Sequence, residues 1–203
     1  MYLPELFAHD DETSKLTFIH KHPFATLMSV VDASVAVSQL PVTYCKQRHA
    51  LLTHFAKVNP LTQALGSECK VLFSGTDAYI SPKWTEHLEP NDVVVPTWNY
   101  SALEVTGPLQ LVTGDEEKQI VMEQIVSKFE MSEGNPWSMN YLKPSLLKQM
   151  LKAIHVCVIP IVEWRLKHKW SQNKSEQTQQ IMKEKVQAQL LTRCKAELGL
   201  NHI

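Results

Sequence analysis

Two short runs, Phe24 to Val31 and Val35 to Val42, are rich in apolar and β-branched residues and are separated only by Asp32-Ala33-Ser34. Strand-forming residues on both sides of a short polar break predict a β-hairpin, and a hairpin commits its strands to an antiparallel sheet. Along the second run Val35 and Val37 share one face, and Ala36 and Ser38 the other. Further short strands are predicted at Ala50 to Phe55 and Cys69 to Phe73. Another opens at Val93-Val94-Val95, and Val105 to Val112 continues the sheet after an aromatic interruption.

The first half of the chain reads as strand-like and the last third as helix-like. Asp10 or Asp11 can cap a short helix through Ile19, which must end before Pro23. Thr113-x-x-Glu116 has the form of a capping box. The apolar residues Val121, Ile125 and Phe129 behind it predict about four helical turns, closed by Gly134-Asn135-Pro136. A second helix starts near Pro144, and Val156 to Leu166 returns to strand. Asn173-x-x-Glu176 caps a final helix with an apolar stripe at Met182, Val186, Leu190, Cys194 and Leu198. Arg193 and Lys195 lie in its last turn and Gly199 follows as its C′ residue. Strands and helices do not alternate, so a doubly wound parallel sheet is excluded. The prediction is a mainly β fold with α decoration: a small barrel over residues 1–173 and a long C-terminal helix over 174–203, docked on the barrel or on a second subunit.

Composition narrows the function. A chain of 203 residues can bury a sizeable core without disulfides. Its four cysteines, at 45, 69, 157 and 194, match no zinc-site spacing. They are expected as reduced thiols in the cytoplasm. The net charge of −1 lacks the cationic excess of a non-specific nucleic-acid binder, and no helix-turn-helix signature supports direct DNA contact. The opening residues have no basic n-region, so no signal peptide is expected, and no apolar run is long enough to span a membrane. Only six glycines occur, without the Gly-rich dinucleotide or P-loop patterns. No metal site is expected from His20-x-His22, and no nucleophile with a base is apparent.

Three segments stand apart: Ala78 to Trp84, Val95 to Tyr100 and Lys167 to Lys174. Each combines aromatic rings with hydroxyl or amide groups, and two add lysine. A flat phosphorylated aromatic cofactor asks for those groups: apolar walls for the ring, amides for its edge, and cations with hydroxyls for the phosphate. Each segment also has a plainer reading. Trp98 and Tyr100 serve equally as core or interface aromatics, and Ser171-Gln172-Asn173 as a polar turn.

The strings His22-Pro23-Phe24-Ala25-Thr26-Leu27, Leu40-Pro41, Asn59-Pro60, Tyr79-Ile80-Ser81-Pro82-x-Trp84, Pro96-Thr97-Trp98-Asn99-Tyr100 and Lys169-x-Ser171-Gln172-Asn173 occur in this order. Together, from Met1 to about Asn173, they resemble the PaiB family of FMN-binding negative transcriptional regulators. The resemblance implies a split β-barrel of the pyridoxamine-phosphate-oxidase type. It further implies a homodimer with FMN in the groove between subunits. Lys57 and Lys174 stand where that family often has arginine. On this resemblance Lys57, Ser81 and Lys169 are expected at the phosphate or ribityl chain, with Thr26 adding a hydroxyl. Trp98, Asn99 and Tyr100, with Tyr79, are expected around the ring, and Gln172 and Asn173 reach the groove from the neighbouring subunit. His54 is a candidate pH-dependent contact or a satisfied barrel histidine. A flavin-dependent oxidoreductase acting on a small molecule or haem, and a scaffold with an empty groove, are the alternative functions.

Overall fold

The computed structural model of the chain describes residues 1–86, 88, 92–131, 134 and 136–197. In chain order it contains β1 (Ala8–His9), α1 (Glu12–Lys21), β2 (Phe24–Val31), β3 (Ser34–Cys45), β4 (Ala50–Ala56) and β5 (Glu68–Ile80). There follow β6 (Thr97–Pro108), β7 (Gln110–Leu111), α2 (Asp115–Glu130), α3 (Pro144–Lys152), β8 (Ile154–Pro160), β9 (Glu163–Lys169) and α4 (Glu176–Glu197). The chain divides into two compact units, Met1–His9 with Gly75–Ala102 and Leu166–Ile203, and Asp10–Ser74 with Leu103–Arg165.

In the second unit the strands run antiparallel in the order β5-β2-β3-β4-β8-β7. The predicted hairpin is present, with Val31 paired to Ser34. Its two linking residues, Asp32 and Ala33, have φ of 47° and 61°. Two successive positive φ angles give the turn the twist that suits a two-residue hairpin. Asp11 caps α1, accepting a 2.7 Å bond from the Ser14 amide. One core cluster packs Leu52, Val156 and Val158 of the sheet against Val121, Met122 and Ile125 of α2. Partly buried Leu147 and Leu151 of α3 join it. Each such side chain contributes about 1.5–3 kcal/mol when fully buried. Phe129, the last residue of the predicted α2 stripe, is exposed.

Several local expectations change. The aromatic segment does not interrupt a strand but begins one: β6 starts at Thr97 and runs to Pro108. Val93 to Val95 lie outside any strand. The predicted strand from Val156 to Leu166 is two strands, β8 and β9. α2 ends at Glu130, before Gly134-Asn135-Pro136, of which Asn135 lies outside the described residues. The Thr113 capping box does not form. Gly114, at φ 93°, takes the cap position and no side chain caps the helix.

In the first unit β1 pairs with β9, with Ala8 opposite Lys167, and β9 neighbours β6. α4 buries Met182 and Val186 against Ala78 and Ile80, with Trp84, Val94, Trp170 and Leu190 alongside. Cys194 is exposed, and Leu198 and Gly199 lie outside the described residues. The helix is capped by Ser175 rather than Asn173: the Ser175 hydroxyl accepts from the Thr178 amide at 3.3 Å, and its carbonyl accepts from Gln179 at 2.9 Å. Asp92 anchors this cap by accepting 3.0 Å and 2.6 Å bonds from the Ser175 amide and hydroxyl. Those bonds, first the one from the Ser175 side chain, hold the Asp92 carboxyl down at about 2.

Candidate functional site

The first unit gathers most of the expected site residues. Along β6 burial alternates, so Asn99 and Ser101 face inward while Trp98 and Tyr100 face outward. The strand pleat thus divides the Trp98-Asn99-Tyr100 string between two faces.

On the inward face Asn99 donates to Ser171 Oγ at 2.9 Å, and Ser171 donates back to Asn99 Oδ1 at 3.1 Å. Both residues are buried. Ser101 Oγ lies 2.7 Å from His168 Nδ1 and accepts a 2.7 Å bond from the Trp170 indole. Gln172 donates to the His168 carbonyl at 2.6 Å and accepts from the Trp170 amide at 2.8 Å. Its amide also reaches the Leu6 carbonyl at 3.3 Å. In this unit Asn99 and Gln172 therefore brace the turn after β9. Asn173 is exposed in that turn. Beside this network a cavity of about 600 Å³ is lined by Asn99, Trp170, Thr76 and one side of α4.

On the outward face Tyr79 and Trp98 meet edge to face, 5.8 Å between ring centres. Trp98 is 53% exposed. The Lys169 ammonium donates to Thr97 Oγ1 at 2.5 Å and to the Trp98 carbonyl at 2.7 Å. Burial is the main cause that lowers its pKa from the usual lysine value; the Lys167 charge adds to it and Tyr100 opposes it. Ser81 follows the end of β5 at Ile80 and makes no side-chain cap to the short helical turn at Pro82–Trp84.

Lys167, His168, Ser101 and Thr97 escaped the sequence reading as individual contributors. Lys167 is a buried cation, 5.0 Å from the Tyr100 ring centre and 5.5 Å from that of Tyr2, and it donates to the Tyr2 carbonyl at 3.1 Å. The strand alternation Lys167-x-Lys169 in a segment already rich in rings was the available signal.

The second unit holds Thr26, His54 and Lys57. Thr26 is half-buried, between Phe24 and Met28 on one face of β2. Lys57 is exposed and forms no ion pair among the described residues. His54 sits opposite Val156, half-buried, and its Nδ1 is buried without a hydrogen-bond partner. Burial pushes its pKa below the ordinary histidine value. Asn59 caps the following turn, accepting from the Leu61 amide at 2.9 Å, and exchanges bonds with Ser38. That accounts structurally for the Asn59-Pro60 string.

Within the first unit the exposed rings at Tyr79 and Trp98 are of the chemical kind that suits an isoalloxazine, and the Lys169 ammonium of the kind that suits a phosphate. Within the second unit Lys57 is a cation without an ion pair among the described residues, and His54 has a buried imidazole nitrogen without a partner there.

Comparison with known proteins agrees. Residues 1–163 match the family described as "Putative FMN-binding domain". The "Protease synthase and sporulation protein PAI 2" of Bacillus subtilis is 30% identical over 183 residues, covering 87% of this chain and 84% of the relative. The FAD and heme binding protein from Mycobacterium smegmatis has a similar structure, with TM-score 0.61 and 14% identity over 85% of this chain and 78% of the other. The flavocytochrome Anf3 from Azotobacter vinelandii gives TM-score 0.63 and 14% identity over 80% and 69%. At that identity the likeness concerns the fold alone, a split β-barrel. The chain belongs to the FMN-binding domain family and is a PaiB-like member of it.

Proposed function

We propose that this chain is a regulatory flavoprotein that works as a homodimer, with FMN held at the seam between subunits. The observation that carries the reading is the outer face of the β2–β3 hairpin. Val30 pairs with Val35, Met28 with Val37, Thr26 with Gln39 and Phe24 with Pro41. Val35 is 60% exposed and Val37 57%. Phe24 and Val30 are exposed as well. A largely apolar, exposed sheet face of this kind marks an association surface, and a self-complementary patch closes as a two-fold dimer. Thr26, expected at the cofactor, lies in the middle of that face. FMN at such a seam would be ordered by the second subunit.

When bound, FMN supplies a two-electron redox centre. The chain's residues would bind and orient it. Lys57 and Lys169 would neutralise the phosphate, with Thr26 and Ser81 as hydroxyl donors. Tyr79, Trp98 and Tyr100 would wall the ring, and His54, Asn99, Gln172 and Asn173 would supply polar contacts to it or to the turn that frames it. The Bacillus subtilis relative is named for protease synthesis and sporulation, and the resemblance to the PaiB family of regulators is what suggests a regulatory role. The four free thiols suit a reducing compartment, in keeping with the cytoplasm. No helix among the described residues is long and apolar enough to cross a membrane.

The test pairs two variants. Val35→Lys with Val37→Lys should give a folded monomer with at least tenfold weaker FMN binding. Lys57→Ala with Lys169→Ala should stay dimeric and lose about 1–3 kcal/mol of FMN affinity. A dimer unaffected by the first pair, or FMN affinity unaffected by either, would overturn the reading. Turnover of a nicotinamide cofactor by the FMN-loaded dimer would move the assignment from regulator to oxidoreductase.

A further inference from the structure

We propose that the second unit carries a separate site for a small organic anion, in the cavity between α1, β3 and the end of α2. The cavity holds about 280 Å³. Its apolar wall comes from Leu16, Ile19, Val42 and Phe129. Its cations are Lys46 and Lys128, the His20 imidazole lies with them, and among the described residues no aspartate or glutamate lines it.

Lys46 and Lys128 form no ion pair among the described residues, so both charges are available to a ligand. Elsewhere in the unit Arg48 lies 3.0 Å from Glu117 and Lys70 lies 3.5 Å from Glu104. The Tyr44 hydroxyl is held 3.0 Å from His49 Nδ1, which leaves the Tyr44 ring as a fixed wall. Thr43 adds a hydroxyl-bearing side chain to the lining.

Size and charge together define the occupant. An apolar cavity of about 150 Å³ accepts benzene. A space of about 280 Å³ therefore suits one substituted ring or a short branched chain and is small for a dinucleotide or a flavin. The two lysines of its lining favour a carboxylate on that ring or chain through charge-assisted hydrogen bonds. The ligand class is a compact aryl or branched aliphatic carboxylate. None of the residues proposed to bind FMN lines this cavity, so the two sites stand or fall separately.

The experiment follows the backbone amides of the full chain by NMR during titration with benzoate, and with benzamide as the neutral isostere. Benzoate is expected to shift the amides of His20, Thr43 and Lys46 saturably, with at least tenfold tighter binding than benzamide. Lys46→Ala with Lys128→Ala should remove at least tenfold of the benzoate affinity, and raising the salt should weaken it in the wild-type chain. Absence of saturable shifts at these amides, equal binding of benzamide, or a site that tolerates both lysine substitutions would overturn the proposal.

Discussion

Asn99 and Ser171, 72 residues apart, exchange two hydrogen bonds of 2.9 Å and 3.1 Å in a buried setting. Ser171 does so from a left-handed backbone, with φ of 61°. The pair fastens the first residues of β6 to the turn that leads into α4. Asn99→Ala leaves a buried hydroxyl without its partner and should cost about 1–3 kcal/mol. For a chain of this length each kcal/mol lowers Tm by about 2–4 °C. Thermal unfolding of the variant checks this; an unchanged Tm would show that the pair contributes nothing.

At Gly107 another strand's backbone comes close. A Cβ at this position would stand 2.0 Å from the Pro160 carbonyl oxygen and 3.1 Å from Ile159 Cγ2. A backbone oxygen cannot rotate away, so Gly107→Ala must separate β6 from the end of β8. The expected loss is about 3 kcal/mol or more. Denaturant unfolding of the variant measures it, and a loss within experimental error of zero would refute the close approach.

His54 makes stability depend on pH on the acid side. Burial holds its folded pKa below 6.5, the ordinary value. Above pH 6.5 both the folded and unfolded forms are neutral there. As pH falls from 6.5 towards the lowered value, the unfolded chain takes up a proton that the folded chain refuses, so stability falls through that window. His22 and His155 are lowered too, again mainly by burial, and add to the same slope. His54→Gln should flatten part of the loss between pH 6.5 and 5 in urea titrations. A slope identical to that of the wild-type chain would exclude His54 as a contributor.

Thiol reactivity should separate one cysteine from three. Cys45, Cys69 and Cys157 are buried, and Cys194 is exposed on α4. Burial pushes the thiols of Cys69 and Cys157 up to about 12, which suppresses their thiolates at neutral pH. A thiol reagent should titrate one fast group in the native protein and four in urea. Two or more fast groups in the native state would contradict the burial of the other three.

The β2–β3 hairpin was legible because strand-forming runs and a short polar break act locally. The cap of α4 was not, because Asn173 and Ser175 are both good capping residues and the choice depends on Asp92, more than eighty residues upstream. The start of α2 was misread for a related reason: Gly114, at positive φ, occupies the cap that Thr113 was expected to fill. The aromatic string looked like an interruption because its residues are polar or bulky on alternate positions, which is what a strand with two different faces requires. At the candidate site the motifs pointed to the family and to the rings at Tyr79 and Trp98. They did not show that Asn99 and Gln172 are tied to partners in their own unit, because those bonds join segments distant in sequence.

Native mass spectrometry of the purified chain incubated with FMN reads subunit count and bound cofactor together. The account predicts a dimer of the 23.2 kDa subunit carrying about one FMN per subunit at its seam. A monomer that takes up no FMN in excess cofactor would contradict it.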